Sequence, residues 1–165
     1  DELTNLALGA LIGAMLLAFI ALIAMLNGML EAAGALVGFE QLTLERVLGG
    51  LLQPLAWALG VPWDEAQLAG SLIGQKFILN EFVAYVSYSE IADQLSPHAQ
   101  AIVIFALCGF ANLSSIAILL GGLGAVAPSR RDDISRYGMR ALIAASLSNL
   151  MSSALAGFFL SLGGL

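Results

Sequence analysis

Residues 3–30 run without a charge between Glu2 and Glu31. About 25 helical residues span roughly 37 Å, enough to cross a hydrocarbon core of about 30 Å with tilt. The stretch predicts one membrane-crossing helix, with Asn27-Gly28 near one end, close to an interface. From Leu42 to Trp63, apolar residues recur at Val47, Leu48, Leu51, Leu52, Leu55 and Leu59, behind Glu45 and Arg46. That helical period predicts an amphipathic helix lying at the interface, a spanning helix being the other reading. Pro54 can kink it, and Trp57 and Trp63 suit a headgroup boundary. Gly60-Val61-Pro62-Trp63-Asp64 reads as a turn, with Asp64 as the expected N-cap of the next helix.

The stretch 66–92 is apolar but holds Lys76, Asn80, Glu81 and Glu90. Each side of Asn80-Glu81 offers about a dozen helical residues, roughly 18 Å, too short to cross. Two short helices meeting at a polar tip predict a re-entrant hairpin, which is tolerated only where protein or water covers it. The stretch 99–128 is uncharged, and its middle reads Cys108-Gly109-Phe110-Ala111-Asn112-Leu113-Ser114-Ser115. Glycine, asparagine and small hydroxyl residues compete with helical hydrogen bonding, so a discontinuous helix broken near Asn112 is expected, ending at Gly121-Gly122-Leu123-Gly124. The last span is 141–165, where Ala144, Ala145, Ser148, Ser152 and Ala156 suggest close helix packing. The segments are therefore a membrane helix over 1–32, an interfacial helix over 42–60, a re-entrant hairpin over 64–95, and a broken plus a final helix over 98–165.

Composition supports an all-α integral membrane fold. The chain is 59% hydrophobic and 11% charged, with mean hydropathy +0.91, whereas soluble domains carry roughly 25% charged residues. Six basic and twelve acidic side chains cannot cover the surface of a soluble domain of this size. Lipid contact removes that requirement, so the bilayer is a partner. Nucleic acid is not expected, because no basic stripe with interleaved aromatics exists. Cys108, the single cysteine, cannot form an intrachain disulfide and reads as a small buried hydrophobe. The chain opens Asp1-Glu2 with no basic leader and no initiator methionine, so a piece of a longer protein is expected. Arg130, Arg131, Arg136 and Arg140 fall in one connection. The positive-inside rule puts loop 129–140 in the cytoplasm of a multi-pass inner (plasma) membrane protein, with the hairpin entering from outside.

Candidate chemistry lies at the two interruptions: Gln75, Lys76, Asn80 and Glu81 in the hairpin, and Asn112, Ser114 and Ser115 in the broken helix. Asn and Ser donate and accept hydrogen bonds, while an ionised Glu accepts only. A carboxylate can accept from two vicinal hydroxyls, so this set suits a neutral polyhydroxylated ligand. No arginine cluster suggests a phosphate. Other readings remain: Glu81 could pair with Lys76, Glu90 could be structural near the outer interface, and Asn112 and Ser115 could be packing groups. His98 lies in a loop with no partner for a metal site. No phosphate loop or nucleophile–base pair is visible, so no enzyme is expected.

Gly74-Gln75-Lys76-Phe77-Ile78-Leu79-Asn80-Glu81-Phe82-Val83-Ala84-Tyr85 resembles the signature of concentrative nucleoside transporters, and Cys108 to Ile116 is similar to that family's substrate-binding segment. The resemblance covers essentially the whole chain and identifies it with the C-terminal, second-hairpin half of an inverted-repeat transporter. It implies that Glu81, Asn112 and Ser115 bind the ribose of a nucleoside, with Phe110 near it and Asn80, Lys76 and Ser114 in support. It also implies ion-coupled uptake by alternating access and a homotrimer whose scaffold includes the first helix. The other half, which would hold the nucleobase contacts and the coupling ion (Na+ or H+), is an expected partner, and no cofactor is expected on this segment. A related transporter or gate protein for another small polar solute, or a non-transporting structural subunit, would use the same features differently.

Overall fold

The computed structural model describes residues 2–39 and 41–163, of which 3–5, 8, 9, 11, 12, 15, 16, 19, 124 and 125 are described in backbone only. Asp1, at the head of the first expected segment, and residues 164–165, at the end of the last, lie outside the described residues. Those described form helices and no strand. The chain divides into two compact units, Asp1–Val47 and Leu48–Leu165.

In the first unit, α1 runs over Glu2–Leu36. It stops because Gly38 takes φ +79°, and the Phe39 amide turns back to donate to the Gly34 carbonyl at 2.9 Å. Glycine is the residue that accepts this left-handed turn without strain. α2, Leu44–Ala58, starts in this unit. Asn27 of α1 caps it from outside: its Oδ1 accepts from the Leu44 amide at 2.7 Å, and its Nδ2 donates to Glu45 at 3.0 Å.

The second unit contains the rest of α2, then α3 (Ala66–Ile78), α4 (Glu81–Ile91), a 3₁₀ turn over Ala92–Gln94, α5 (Pro97–Leu107), α6 (Leu113–Val126), a 3₁₀ turn over Pro128–Arg130 and α7 (Arg131–Gly163). α3 and α4 form a helical hairpin joined through Leu79 and Asn80, and the Ser87 hydroxyl donates back across it to Gln75 at 2.7 Å. α5 and α6 are separated by residues 108–112, where the sequence predicts a break. The core gathers Leu72 and Ile73 of α3, Ile102, Val103 and Leu107 of α5, and Leu150 of α7. Helices meet closely where side chains are small. A Cβ on Gly70 would lie 2.9 Å from the Leu52 carbonyl carbon. Such contacts let backbones approach and gain dispersion energy, which matters where lipid removes the hydrophobic drive between helices.

Several expectations change. Asp64 is not the cap of α3; Glu65 holds that position without capping, and its carboxylate instead accepts from the amide and hydroxyl of Ser96 at 2.8 and 3.0 Å. That bond ties the start of α3 to the start of α5. In α2 the buried side is Leu48, Gly49 and Ala56, with Leu52 and Leu55 partly covered, while Val47 and Leu51 are exposed. The predicted stripe is too wide on that edge by two residues, Val47 and Leu51. Arg131, Arg136 and Arg140 belong to α7 itself rather than to a loop, because charge marks the depth at which a segment leaves apolar surroundings and does not end a helix. In α7, Ala144, Ala145, Ser148 and Ser152 are exposed; the packed residues are Leu150, Ser153 and Gly157. Ser153 donates to the Ile102 carbonyl at 2.7 Å. Cys108 is exposed, 3.3 Å from the Tyr85 hydroxyl, and is not a buried hydrophobe. Helix 128–163 is long and apolar enough to cross a membrane.

Candidate functional site

The two interruptions in the helices are built alike and lie side by side. Asn80 precedes α4 in an extended conformation (φ −165°, ψ 170°) and its Oδ1 accepts from the Val83 amide at 2.9 Å. Asn112 precedes α6 in nearly the same conformation (φ −149°, ψ 170°), and its Oδ1 accepts from the Ser115 amide at 2.9 Å. An asparagine there satisfies one of the amides that a helix start leaves without a partner. Both helix starts also carry the positive end of a helix dipole.

Contacts between the interruptions bring the predicted residues together. Asn112 Nδ2 donates to Glu81 Oε2 at 3.1 Å and to the Phe110 carbonyl at 3.2 Å. Ser114 Oγ lies 3.3 Å from the Leu79 carbonyl and 2.6 Å from Asn112 Oδ1. Ser115 Oγ lies 2.6 Å from the Phe110 carbonyl and 3.0 Å from Asn112 Oδ1. Each hydroxyl has one proton for two acceptors within reach, and its own oxygen keeps acceptor capacity for a third group. Asn112 is buried, Glu81 is half-buried, and Phe110 is 76% exposed. Among the described residues, no hydrogen bond reaches Glu81 Oε1. A partly open carboxylate with a free oxygen thus stands beside an amide and two hydroxyls.

Lys76 is placed differently. It is fully buried and donates to Asn149 Oδ1 of α7 at 2.6 Å, with its ammonium 5.0 Å from the centre of the Phe77 ring. The ion pair among the described residues is Arg130–Asp133; the Lys76–Glu81 pair is not formed. Glu90 is exposed at the far end of α4. Asn149 went unremarked in the sequence. Its signal was available: Asn149, Ser153 and Gly157 recur every four residues, a polar and small stripe on one helix face.

An open cleft of about 450 Å³ lies beside this cluster, bounded by Phe110 and Ser115 and continued by Ile116, Leu119, Ala141 and Leu142. Neither Glu81 nor Asn112 lines it, and its walls are apolar, so it does not suit a sugar. Among the described residues, no group of three or more His, Cys, Asp or Glu gathers for a metal ion.

Residues 2–157 match the family described as "Na+ dependent nucleoside transporter C-terminus". The uncharacterized transporter YutK of Bacillus subtilis is 54% identical over 157 residues, covering 95% of this chain and 39% of that protein. Nucleoside permease NupC of Helicobacter pylori is 48% identical over 164 residues, covering 96% of this chain and 39% of that protein. Among solved structures, CNTnw in an inward-facing substrate-bound state shares 52% identity at TM-score 0.91, over 99% of this chain and 40% of that one. The chain therefore spans well under half the length of the relatives it matches.

Proposed function

This chain belongs to the Na+-dependent, concentrative nucleoside transporter family as its C-terminal part, and on that premise we propose that it supplies the ribose-binding half of an ion-coupled nucleoside uptake site. One observation carries the reading: the Glu81 carboxylate, on one interrupted helix, accepts from Asn112, on the other, at 3.1 Å. The contact orients the carboxylate, and its second oxygen is left to accept sugar hydroxyls. Ser115 and the amide of Asn112 complete the polar wall, and the exposed Phe110 ring offers a face beside it. Asn80 caps the start of α4, and Ser114 reaches across to the Leu79 carbonyl at the hairpin tip. Relatives named as nucleoside permeases and sodium/nucleoside cotransporters support the substrate class.

The family is one of integral membrane transporters, not enzymes. In the bilayer, α3 and α4 form a re-entrant hairpin, since a carboxylate at membrane depth is tolerated where it faces a wet site. Residues 129–140 face the cytoplasm of the inner membrane, α1 contributes to the scaffold of a homotrimer, and the hairpin and broken helix carry the sugar as alternating access proceeds. Nucleobase contacts and the coupling ion, Na+ or H+, are assigned to the remaining length of the transporter.

The test is uridine binding by the full-length transporter carrying Glu81→Gln, measured by calorimetry. Losing a charge-assisted hydrogen bond costs about 1.5–3 kcal/mol, which is roughly tenfold or more in Kd. An unchanged Kd removes Glu81 from the site.

A further inference from the structure

Lys76 and Asn149 are separated by 73 positions and come from opposite ends of the second unit, yet they share a 2.6 Å hydrogen bond. Neither hydrogen-bonds to the polar cluster around Glu81. Asn149 nevertheless holds three parts of the structure at once. Its Oδ1 accepts a hydrogen bond from the buried Lys76 in α3. Its Nδ2 donates to the Phe105 carbonyl at 2.9 Å, a group in the last turn of α5 that otherwise receives the Cys108 amide at 3.3 Å. Its side chain also packs against Gly109, inside the break: a Cβ on that glycine would lie 2.7 Å from Asn149 Cγ and Oδ1. The residue next to Gly109 is Phe110, whose carbonyl receives the hydroxyl of Ser115 and the amide of Asn112.

A buried lysine with a neutral acceptor is costly to keep, so its contact constrains where the chain can go. Lys76 stands in the last turn of α3, just ahead of the tip that presents Glu81. The Lys76–Asn149 bond therefore spaces the hairpin tip from the break through the body of α7, separately from the Glu81–Asn112 hydrogen bond. We propose that Asn149, engaged by Lys76, is a positioning residue that sets the distance between the carboxylate of Glu81 and the hydroxyl and amide groups at 110–115. The inference rests on the sugar-site reading above. It predicts that α3, the break and α7 act as one body during transport.

The experiment measures uridine Kd by calorimetry on the full-length transporter carrying Lys76→Met, Asn149→Leu, the two together, and Gly109→Ala. Gly109→Ala displaces Asn149 from the break without removing a charge and serves where Lys76→Met fails to fold. Each single variant is expected to weaken binding about tenfold, the double no more than the worse single, because both act through one link. Ser115→Ala, added to Asn149→Leu, should then cost less than it does in the parent protein. A purely structural role would lower Tm while leaving the Kd of the folded protein and the cost of Ser115→Ala unchanged, and that result overturns the proposal. If Glu81→Gln weakens binding and the Asn149 and Gly109 variants do not, the positioning role fails and the sugar site stands. If Glu81→Gln leaves Kd unchanged, the sugar-site reading fails, and the positioning role fails with it even where Asn149→Leu weakens binding.

Discussion

The tip of the hairpin and the break between α5 and α6 use the same residue in the same backbone conformation for different ends. Asn80 makes one local hydrogen bond, to the Val83 amide, and its work is finished within α4. Asn112 makes the equivalent bond to the Ser115 amide and then continues: it receives the hydroxyls of Ser114 and Ser115 and donates across to Glu81. An asparagine cap has both an acceptor and a donor, and local capping uses only the acceptor. Asn80 closes a helix start, whereas Asn112 closes one and also connects it to a second.

That contrast orders the expected effects. Asn112→Ala should be the most damaging, because it removes the cap, the bridge to Glu81 and the acceptor shared by two serines. Adding about 1 kcal/mol for a cap to about 1.5–3 kcal/mol for a charge-assisted bond gives on the order of a hundredfold in uridine Kd, and titration calorimetry reads it. Ser115→Ala should cost roughly threefold to tenfold in Kd, since one neutral hydrogen bond is worth about 0.5–1.5 kcal/mol. Asn80→Ala should lower stability by about 1 kcal/mol, seen as a reduced Tm, with Kd changed by less than about threefold. A loss at Asn80 as large as that at Asn112 would erase the distinction. The smallest effect on binding is expected from Glu65→Gln, which weakens the anchor to Ser96 far from the polar cluster: Tm falls and Kd stays as it was.

Both interruptions were legible in the sequence for a physical reason. Asn80-Glu81 and Asn112 with its serines are polar groups in stretches otherwise apolar, and a residue that competes with the helix backbone tends to start a helix rather than sit inside one. Their partnership could be anticipated only through the family resemblance, because nothing in the spacing of residues 81 and 112 implies a 3.1 Å contact. Other features depended on tertiary approach. Which face of α7 packs is decided by Ile102 and Leu59 meeting Gly157 and by Ser153 reaching the Ile102 carbonyl. Ala144, Ser148, Ser152 and Ala156 line one row of the helix, whereas the row that packs is the neighbouring one through Ser153 and Gly157. The start of α7 was hidden for a different reason: hydropathy reports where a segment leaves apolar surroundings, and the helix continues through Arg131 to Arg140 regardless. Asp64 and Glu65 are adjacent acids, and only the reach of Glu65 to Ser96 separates a cap from an anchor.

The central claim is that the Glu81 carboxylate, steadied by Asn112, accepts hydroxyls of a sugar. The measurement that addresses it most directly compares the Kd of uridine with that of 2′,3′-dideoxyuridine in the full-length transporter and in its Glu81→Gln variant. The account predicts a penalty for the missing hydroxyls in the parent protein of roughly tenfold or more, largely lost in Glu81→Gln. An equal penalty in both proteins would contradict it.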